Sequence, residues 1–280
     1  MSLDTDVTTD VATDTTSEEQ ISVAQATADG MTRFYNLAKR QAWDVRQLPW
    51  GEVAPVPEGS GSAEKKARRH SMWRSVVTQQ LQADIIAVQM AVQLFTAAPD
   101  FEAQLYYTTM TNDESRHCEA WMRLCNEIGG VCEPDPYLEQ LGKLTMNADT
   151  LEEQIWLFQC AFEGLVIPRF HQIAAASQGT VLSDICTRIA IDDGIHHGSG
   201  VCYEKLLLER TTNKTKRAIE RITREMWPLY MQHVTWRPRE RAWASTALRS
   251  RDFALVSSQR DEICKMAAGF GMDMEFEMTM

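Results

Sequence analysis

The segment TNDESRHCEAW (residues 111–121) decides the fold, because Glu114 and His117 stand three residues apart within it. Positions i and i+3 lie on one face of a helix, about one turn apart, so a carboxylate and an imidazole there can reach one metal ion. A second segment, IDDGIHHGSG, repeats this spacing with Asp193 and His196. Two helices that each present such a pair indicate a dinuclear metal site between them.

Each pair has a further carboxylate 30 residues upstream, Asp84 before Glu114 and Glu163 before Asp193. The second triad therefore follows the first by 79 residues at all three positions. The upstream interval suits two antiparallel helices joined by a short loop, so two such hairpins would bring six ligands to one point. Buried ion pairs are the competing interpretation, but none of the other four histidines has an acid three residues before it.

The donor set predicts which metals are bound and how they are shared. Carboxylates and imidazoles suit iron or manganese, whereas a structural zinc site usually recruits cysteine. We expect two iron ions, or a manganese and an iron ion, with open positions for O2 as co-substrate. The predicted ligands are Asp84, Glu114 and His117 for one ion and Glu163, Asp193 and His196 for the other, with Glu114 and Asp193 as bridges.

Further residues are expected to support this centre. Asp113 should accept the outer ring N–H of His196, and Asp192 that of His117, which would fix each tautomer. The alternative for both acids is a solvated helix face. A substrate pocket is expected within one turn of the ligands, with ordinary packing as the alternative for each of its residues. Its predicted lining is Gln80, Met110, Trp121, Gln159 and Ile189.

The composition favours one soluble helical domain. The hydrophobic fraction is 44%, no apolar stretch is long enough to span a membrane, and the N-terminus does not resemble a secretory signal. Seven cysteines without a CxxC motif indicate reduced thiols, so we expect a cytoplasmic protein. The net charge of −11 argues against nucleic acid as a partner.

The order of segments predicts a disordered acidic, Thr-rich tail over residues 1–20 and one helical domain over 21–280, with its core bundle at 63–209. Pro168, five residues after Glu163, is expected to kink the third core helix or to force a bulge beside the ligand. The predicted elements are helices at 17–42, 63–97, 100–128, 136–146, 150–177, 180–209, 213–234 and 239–269, and a Pro-punctuated strap at 43–57 that packs through Trp43 and Trp50.

Three stretches carry a family resemblance: LQADIIAVQMAVQLFTAAPDFEAQLYYTTMTNDESRHCEAW, FEGLVIP and IDDGIHHGSG. They resemble the ferritin-like di-iron oxidase and oxygenase superfamily, specifically the bacterial branch related to the ribonucleotide reductase small subunit. The resemblance covers residues 31–210. It implies an all-α fold, a ferritin-like antiparallel four-helix bundle with extra N- and C-terminal helices. It also implies a di-iron or, occasionally, a manganese–iron cluster that activates O2, commonly in a homodimer.

Five positions depart from the family pattern. Asp84 and Asp193 stand where most members have Glu, and the shorter side chain needs closer helices or monodentate binding. Trp121 occupies the position of the reductase's radical Tyr, so no stable tyrosyl radical is expected. Phe158 replaces the Tyr that ligand-binding oxidases crosslink to a Val, and Ile189 replaces the third His of certain arylamine N-oxygenases.

These observations predict a non-haem di-iron monooxygenase or oxidase that acts on a small organic metabolite by hydroxylation, N-oxygenation or desaturation. The sequence has no ferredoxin-type Cys cluster, flavin motif or Gly-rich dinucleotide loop, so electrons are expected from a separate reductase or from the substrate. Two alternatives stay open. One is a ferroxidase or metal-storage protein, and the other is a metal-free structural homologue, which the two Asp replacements suggest.

Overall fold

The computed structural model of the chain describes residues 15–236 and 246–274, with side-chain burial for 25–236 and 256–274. Within these ranges the backbone is helical or irregular, apart from one isolated bridge between Trp50 and Val53. The helices are α1 (Thr15–Gln41), α2 (Ala63–Ala97), α3 (Phe101–Glu127), α4 (Pro136–Met146), α5 (Leu151–Ile155), α6 (Glu163–Ala176), α7 (Val181–Leu208), α8 (Asn213–Thr235) and α9 (Thr246–Gly269). A π-helical turn, Trp156–Phe162, joins α5 to α6.

The predicted helices are confirmed, and α2 and α4 have the predicted bounds. The first helix begins at Thr15, so it overlaps the tail that was predicted to be disordered up to residue 20. Residues 1–14 of the predicted tail and 239–245 of the last predicted helix lie outside the described residues.

Two hairpins form the bundle. The first pairs α2 with α3, and the second pairs α6 with α7. Helix α1 packs against both α3 and α7, so it holds the hairpins together, while α4 and α8 pack on each other beside α2. None of the helices in the described ranges combines the length and hydropathy of a membrane span. The six predicted ligands lie on α2, α3, α6 and α7, the four helices of the two hairpins.

The predicted ligand layer separates two apolar clusters. Along α2, Leu81 belongs to one cluster and Met90 to the other, with Asp84 between them. Along α3, Met110 and Trp121 flank the layer in the same way. Because apolar packing on both sides excludes water, the charged groups in the layer need partners.

The predicted distortion of the third core helix is present, but it precedes Glu163 instead of following it. The π-helical turn ends at Phe162, and Pro168 lies within the α-helical part. The side chain of Gln159 holds this turn against α7, since its Nε2 donates to the backbone oxygen of His196 (3.1 Å). Pro168 lies six residues beyond the end of the turn, so the helical hydrogen bond that it removes, the one to residue 164, falls outside the turn.

The strap fastens the start of α7. The backbone N–H groups of Val181 and Leu182 donate to the carbonyls of Ala54 and Pro55, both at 3.1 Å. These N–H groups belong to the first turn of a helix and have no acceptor within it. One end of the strap therefore supplies acceptors for these N–H groups. Its other end brings Trp43 to the ligand layer.

Candidate metal centre

The six predicted ligands lie together, and none is more than 7% exposed. They form two groups in which one ligand atom from each residue lies within 4.8 Å of the others: Asp84, Glu114 and His117, and Glu114, Glu163, Asp193 and His196. Glu114 belongs to both groups, as expected of a bridge, whereas Asp193 belongs to one. We call Asp84, Glu114 and His117 the first half of the layer, and Glu163, Asp193 and His196 the second half.

Both imidazoles have one nitrogen facing inward and the other facing an outer acid. The Nε2 atom of His117 lies 3.0 Å from Asp192 Oδ2, and that of His196 lies 3.4 Å from Asp113 Oδ2. These are the contacts predicted from the sequence. Each Nδ1 atom faces Glu114, at 3.3 Å for His117 and 3.0 Å for His196. With Nε2–H donated outward, the Nδ1 lone pair is directed at the carboxylates.

The inner atoms of the layer fit a bound cation. His196 Nδ1 and Glu114 Oε1 lie 3.0 Å apart, yet they form no hydrogen bond, and neither has another hydrogen-bond partner in the described part of the chain. Two lone pairs this close repel each other unless a proton or a cation lies between them. Four carboxylates also balance the charge of two divalent cations, and carboxylate with imidazole suits iron and manganese.

Two residues that were not predicted from the sequence, Arg116 and Trp43, donate hydrogen bonds to the outer acids Asp113 and Asp192. Arg116 Nη2 donates to Asp113 Oδ1 (2.7 Å) and to Asp192 Oδ2 (3.0 Å), so one guanidinium joins the two acids. Trp43 Nε1 also donates to Asp192 Oδ2 (2.8 Å), and its ring stacks on His117 at a centroid distance of 6.3 Å. Arg116 was detectable, because it follows Asp113 by one helical turn. Trp43 gave no such signal, because it lies in the irregular strap.

Trp121 donates a hydrogen bond to a predicted ligand of the first half. Its Nε1 donates to Asp84 Oδ2 at 2.7 Å, and its ring stacks on Phe170 with centroids 6.2 Å apart. The residue that departs from the reductase pattern thus holds a predicted ligand. The equivalent position in the second half, 79 residues later, is Gly200.

Burial dominates the ionisation of the carboxylates. It raises the pKa of Asp84 and of Asp193 well above the ordinary range, and neighbouring carboxylates raise both further. It also raises the pKa of Glu163 to about 7. Burial alone would raise the pKa of Glu114 as well, but the two imidazoles that face it outweigh burial and lower that pKa to about 2. Without a cation the layer therefore retains protons, and a bound cation would displace them.

A cavity of about 110 Å³ adjoins the layer. Its lining includes the carboxylates of Asp84, Glu114, Glu163 and Asp193 together with residues of α4 and α8. Most of the other lining residues are apolar. A water needs roughly 10–15 Å³ of such space, so the cavity has room for a small organic molecule.

Of the five residues predicted to line a pocket, only Gln80 does so. Met110, Trp121 and Ile189 are completely buried in the apolar clusters, and Gln159, also fully buried, faces α7. The prediction is wrong for these four because it placed every residue one regular helical turn from a ligand in the pocket. That spacing neither distinguishes packing from cavity nor holds across a π-helical turn.

The cavity instead receives residues that the sequence did not indicate. Tyr230 and His233 reach it from α8, outside the predicted core bundle, and Arg169 reaches it from α6. His233 Nδ1 lies 2.8 Å from Asp135 Oδ2, which fixes the ring at the cavity wall. Tyr230 and His233 stand three apart on an amphipathic helix, but nothing in their spacing indicates which part of the bundle they face.

Known proteins with a similar fold include R2-like ligand-binding oxidases. A Tyr-to-Phe variant with an aerobically reconstituted Mn/Fe cofactor matches with a TM-score of 0.65 and 18% identity, over 83% of this chain and 92% of that chain. A Gly-to-Leu variant with a non-activated Mn/Mn cofactor gives 0.67 and 16%, over 85% and 92%. The same substitution with an Fe/Fe cofactor gives 0.63 and 17%, over 86% and 91%.

No protein-family model matches the sequence, and a comparison with curated proteins finds no match either. The structural likeness confirms the predicted all-α, ferritin-like fold. At these identities it does not establish an activity, because one fold can carry many functions.

Proposed function

We propose that this chain is an O2-activating oxidoreductase whose cofactor is two iron ions, or one manganese and one iron ion. The observation that carries the proposal is the pair of buried imidazoles whose Nδ1 atoms both face Glu114, in a layer that borders a cavity. The Mn/Fe and Fe/Fe cofactors of the similar oxidases support it. When bound, such ions would supply the reduction of O2 and the oxidation of an organic molecule.

The residues of the chain hold and orient this cofactor in the proposal. The three ligands of the first half and the three of the second would bind the ions, with Glu114 shared. Asp192 and Asp113 keep the Nε2 protons of the imidazoles outward, so each Nδ1 is available to a metal. The apolar clusters exclude water from the layer, which strengthens every charge interaction within it.

The substrate is proposed to be a small organic molecule, oxidised by hydroxylation, N-oxygenation or desaturation. The carboxylates Asp84 and Glu163 line a mostly apolar cavity, so a molecule inside would lie beside the metals. Such an environment suits an organic molecule better than hydrated iron. We further propose a cytoplasmic homodimer that receives its electrons from a separate reductase or from the substrate.

Metal analysis is the first test. Protein produced with added iron, manganese or both should contain two ions per chain. Many more than two, in an assembly far larger than a dimer, would support iron storage. No bound metal under any of the three conditions would support a metal-free homologue.

Oxygen uptake is the second test. Chemically reduced, iron-loaded protein should consume O2, and Glu114→Ala should abolish both uptake and iron binding. Glu119→Ala is the matched control, because Glu119 lies on an exposed face of the same helix. Wild-type protein that holds two irons but consumes no O2 would leave the metal centre in place and contradict the redox function.

A further inference from the structure

Gln80 is a buried amide that the proposed metal chemistry does not use. It lies one helical turn before Asp84, lines the cavity and is 4% exposed. Its Oε1 is enclosed and accepts no hydrogen bond in the described part of the chain. A buried carbonyl oxygen without a donor costs free energy, so a position of this kind needs a reason.

The equivalent glutamine of the second half shows what a fully bonded amide looks like here. Gln159 Oε1 accepts a hydrogen bond from Tyr107 Oη (2.8 Å). Its Nε2 donates to the backbone oxygen of His196 and to Ser199 Oγ, both at 3.1 Å. Gln159 does not line the cavity. Among the described residues, a donor therefore reaches the Oε1 of Gln159, which faces protein, and none reaches the Oε1 of Gln80, which lines the cavity.

The glutamines next to Gln80 on α2 are also bonded. Gln79 Nε2 donates to Asp135 Oδ2 (3.0 Å), and Gln82 Nε2 donates to the backbone oxygen of Asp135 (2.8 Å). Both side chains thus tie α2 to the start of α4. Within the described ranges the side chain of Gln80 makes no such hydrogen bond to α4, so anchoring α4 does not explain it.

We infer that Gln80 Oε1 recognises the substrate by accepting a hydrogen bond from its N–H or O–H group. The remainder of that molecule would be apolar, because Met90, Leu141 and Phe158 form the nearby walls. This assignment rests on the proposed function only in taking the bound molecule as the one that is oxidised. The substrate class is then a small, uncharged compound with one N–H or O–H donor beside the metal carboxylates.

Pyrrole and furan form a matched pair of probes. Both are five-membered aromatic rings of nearly the same shape, and only pyrrole has an N–H donor. Isothermal titration calorimetry of the full chain, with and without two equivalents of Mn²⁺, measures the dissociation constant of each ring. Pyrrole should bind at least about fivefold more tightly than furan, because it alone can donate a hydrogen bond to the buried acceptor. Gln80→Met keeps the size of the side chain and removes the acceptor, so the two rings should then bind equally.

Gln93→Met is the control variant. Gln93 lies on the same helix, its Nε2 donates to the backbone oxygen of Met146 (2.8 Å), and it does not line the cavity. This variant should keep the wild-type preference for pyrrole.

Three results would overturn the assignment: equal affinity for the two rings, binding of neither ring, or a preference for pyrrole that survives Gln80→Met. Equal affinity of the wild-type protein for the two rings overturns the assignment even if Gln80→Met does not fold, and Gln80→Leu then takes the place of that variant. Because ring binding is measured without turnover, a preference for pyrrole in a protein that consumes no O2 would refute the proposed function and leave the recognition role of Gln80 standing.

Discussion

The two halves of the ligand layer share a sequence pattern but not a helix type. Gln80 precedes Asp84 by four residues, and Gln159 precedes Glu163 by four. In α2 the glutamine lines the cavity with its ligand, whereas the π-helical turn directs Gln159 to α7 and places Phe158 at the cavity. In a π-helix the hydrogen bonds run from i to i+5, so the facing position shifts by one residue. Two residues at the same spacing from a ligand therefore face the same way only when both lie in helices of the same type.

The halves also differ one turn beyond each histidine. Trp121 stands at that position in the first half and donates to Asp84, whereas the second half has Gly200 there. A Cβ atom at Gly200 would lie 2.2 Å from Gln159 Cβ, so the approach of the π-helical turn to α7 leaves no space for a side chain at this position. One half is held by an aromatic donor, and the other by direct contact between helices.

The strongest test of the comparison removes the residue that the halves share. Glu114→Ala should lose both metals, because Glu114 is a member of both groups. Asp84→Ala should keep the ion of the second half. Metal content per chain, measured by mass spectrometry after loading with iron, distinguishes the outcomes. One ion retained by Glu114→Ala would show that the halves bind independently.

Gly200→Ala tests the contact between helices in the second half. The added methyl group would collide with Gln159, and we expect a loss of about 3 kcal/mol in the free energy of unfolding. Urea denaturation of the metal-free protein measures it. Gly194→Ala is the matched control on the same helix, since nothing lies within 4 Å of its added Cβ. An equal effect of both substitutions would mean that the close approach does not matter.

Substitution of the two outer acids, Asp192 and Asp113, should lower the metal affinity of the two halves by different amounts. Asp192 accepts from His117, Arg116 and Trp43, whereas Asp113 contacts His196 at the longer distance of 3.4 Å. Asp192→Asn should weaken metal binding about 10–100-fold, and Asp113→Asn should weaken it less. Competition with a chelator gives both affinities. A larger effect at Asp113 would reverse the assignment of the more strongly supported half.

Trp121→Phe sharpens the comparison with the smallest change. It replaces the indole with a smaller ring that can still stack on Phe170, and it removes the N–H that Asp84 accepts. The metal-free protein should lose about 1.5 kcal/mol in the free energy of unfolding, because a buried carboxyl group is left without its donor. Unchanged stability in urea would show that the hydrogen bond is not what holds Asp84.

The positions of the six predicted ligands and the two outer acids could be predicted because these residues lie on α-helices. There, an interval of three residues fixes a shared face, and the 79-residue repeat of the whole triad argues against coincidence. The long helices were predicted within a few residues for the same reason. The contacts of Asp113 with His196 and of Asp192 with His117 followed from the symmetry of the repeat.

The cavity could not be predicted in the same way. Its lining depends on the π-helical turn, which no residue type marks, and on Tyr230 and His233 from a helix beyond the bundle. Trp43 was missed because it reaches Asp192 across 149 residues of sequence from a segment without periodicity. Sequence patterns report which residues share an element, while these contacts arise between elements.

The strap sets a lower limit on any shortened form of this protein. A fragment that begins at Ala63 would contain all six ligands, but it would lack Trp43 and the carbonyls that accept from the first turn of α7. A fragment that stops after α7 would also lose one wall of the cavity. The smallest piece suited to dissection or transplantation therefore begins before Trp43 and extends past His233, well beyond the four helices that supply the ligands.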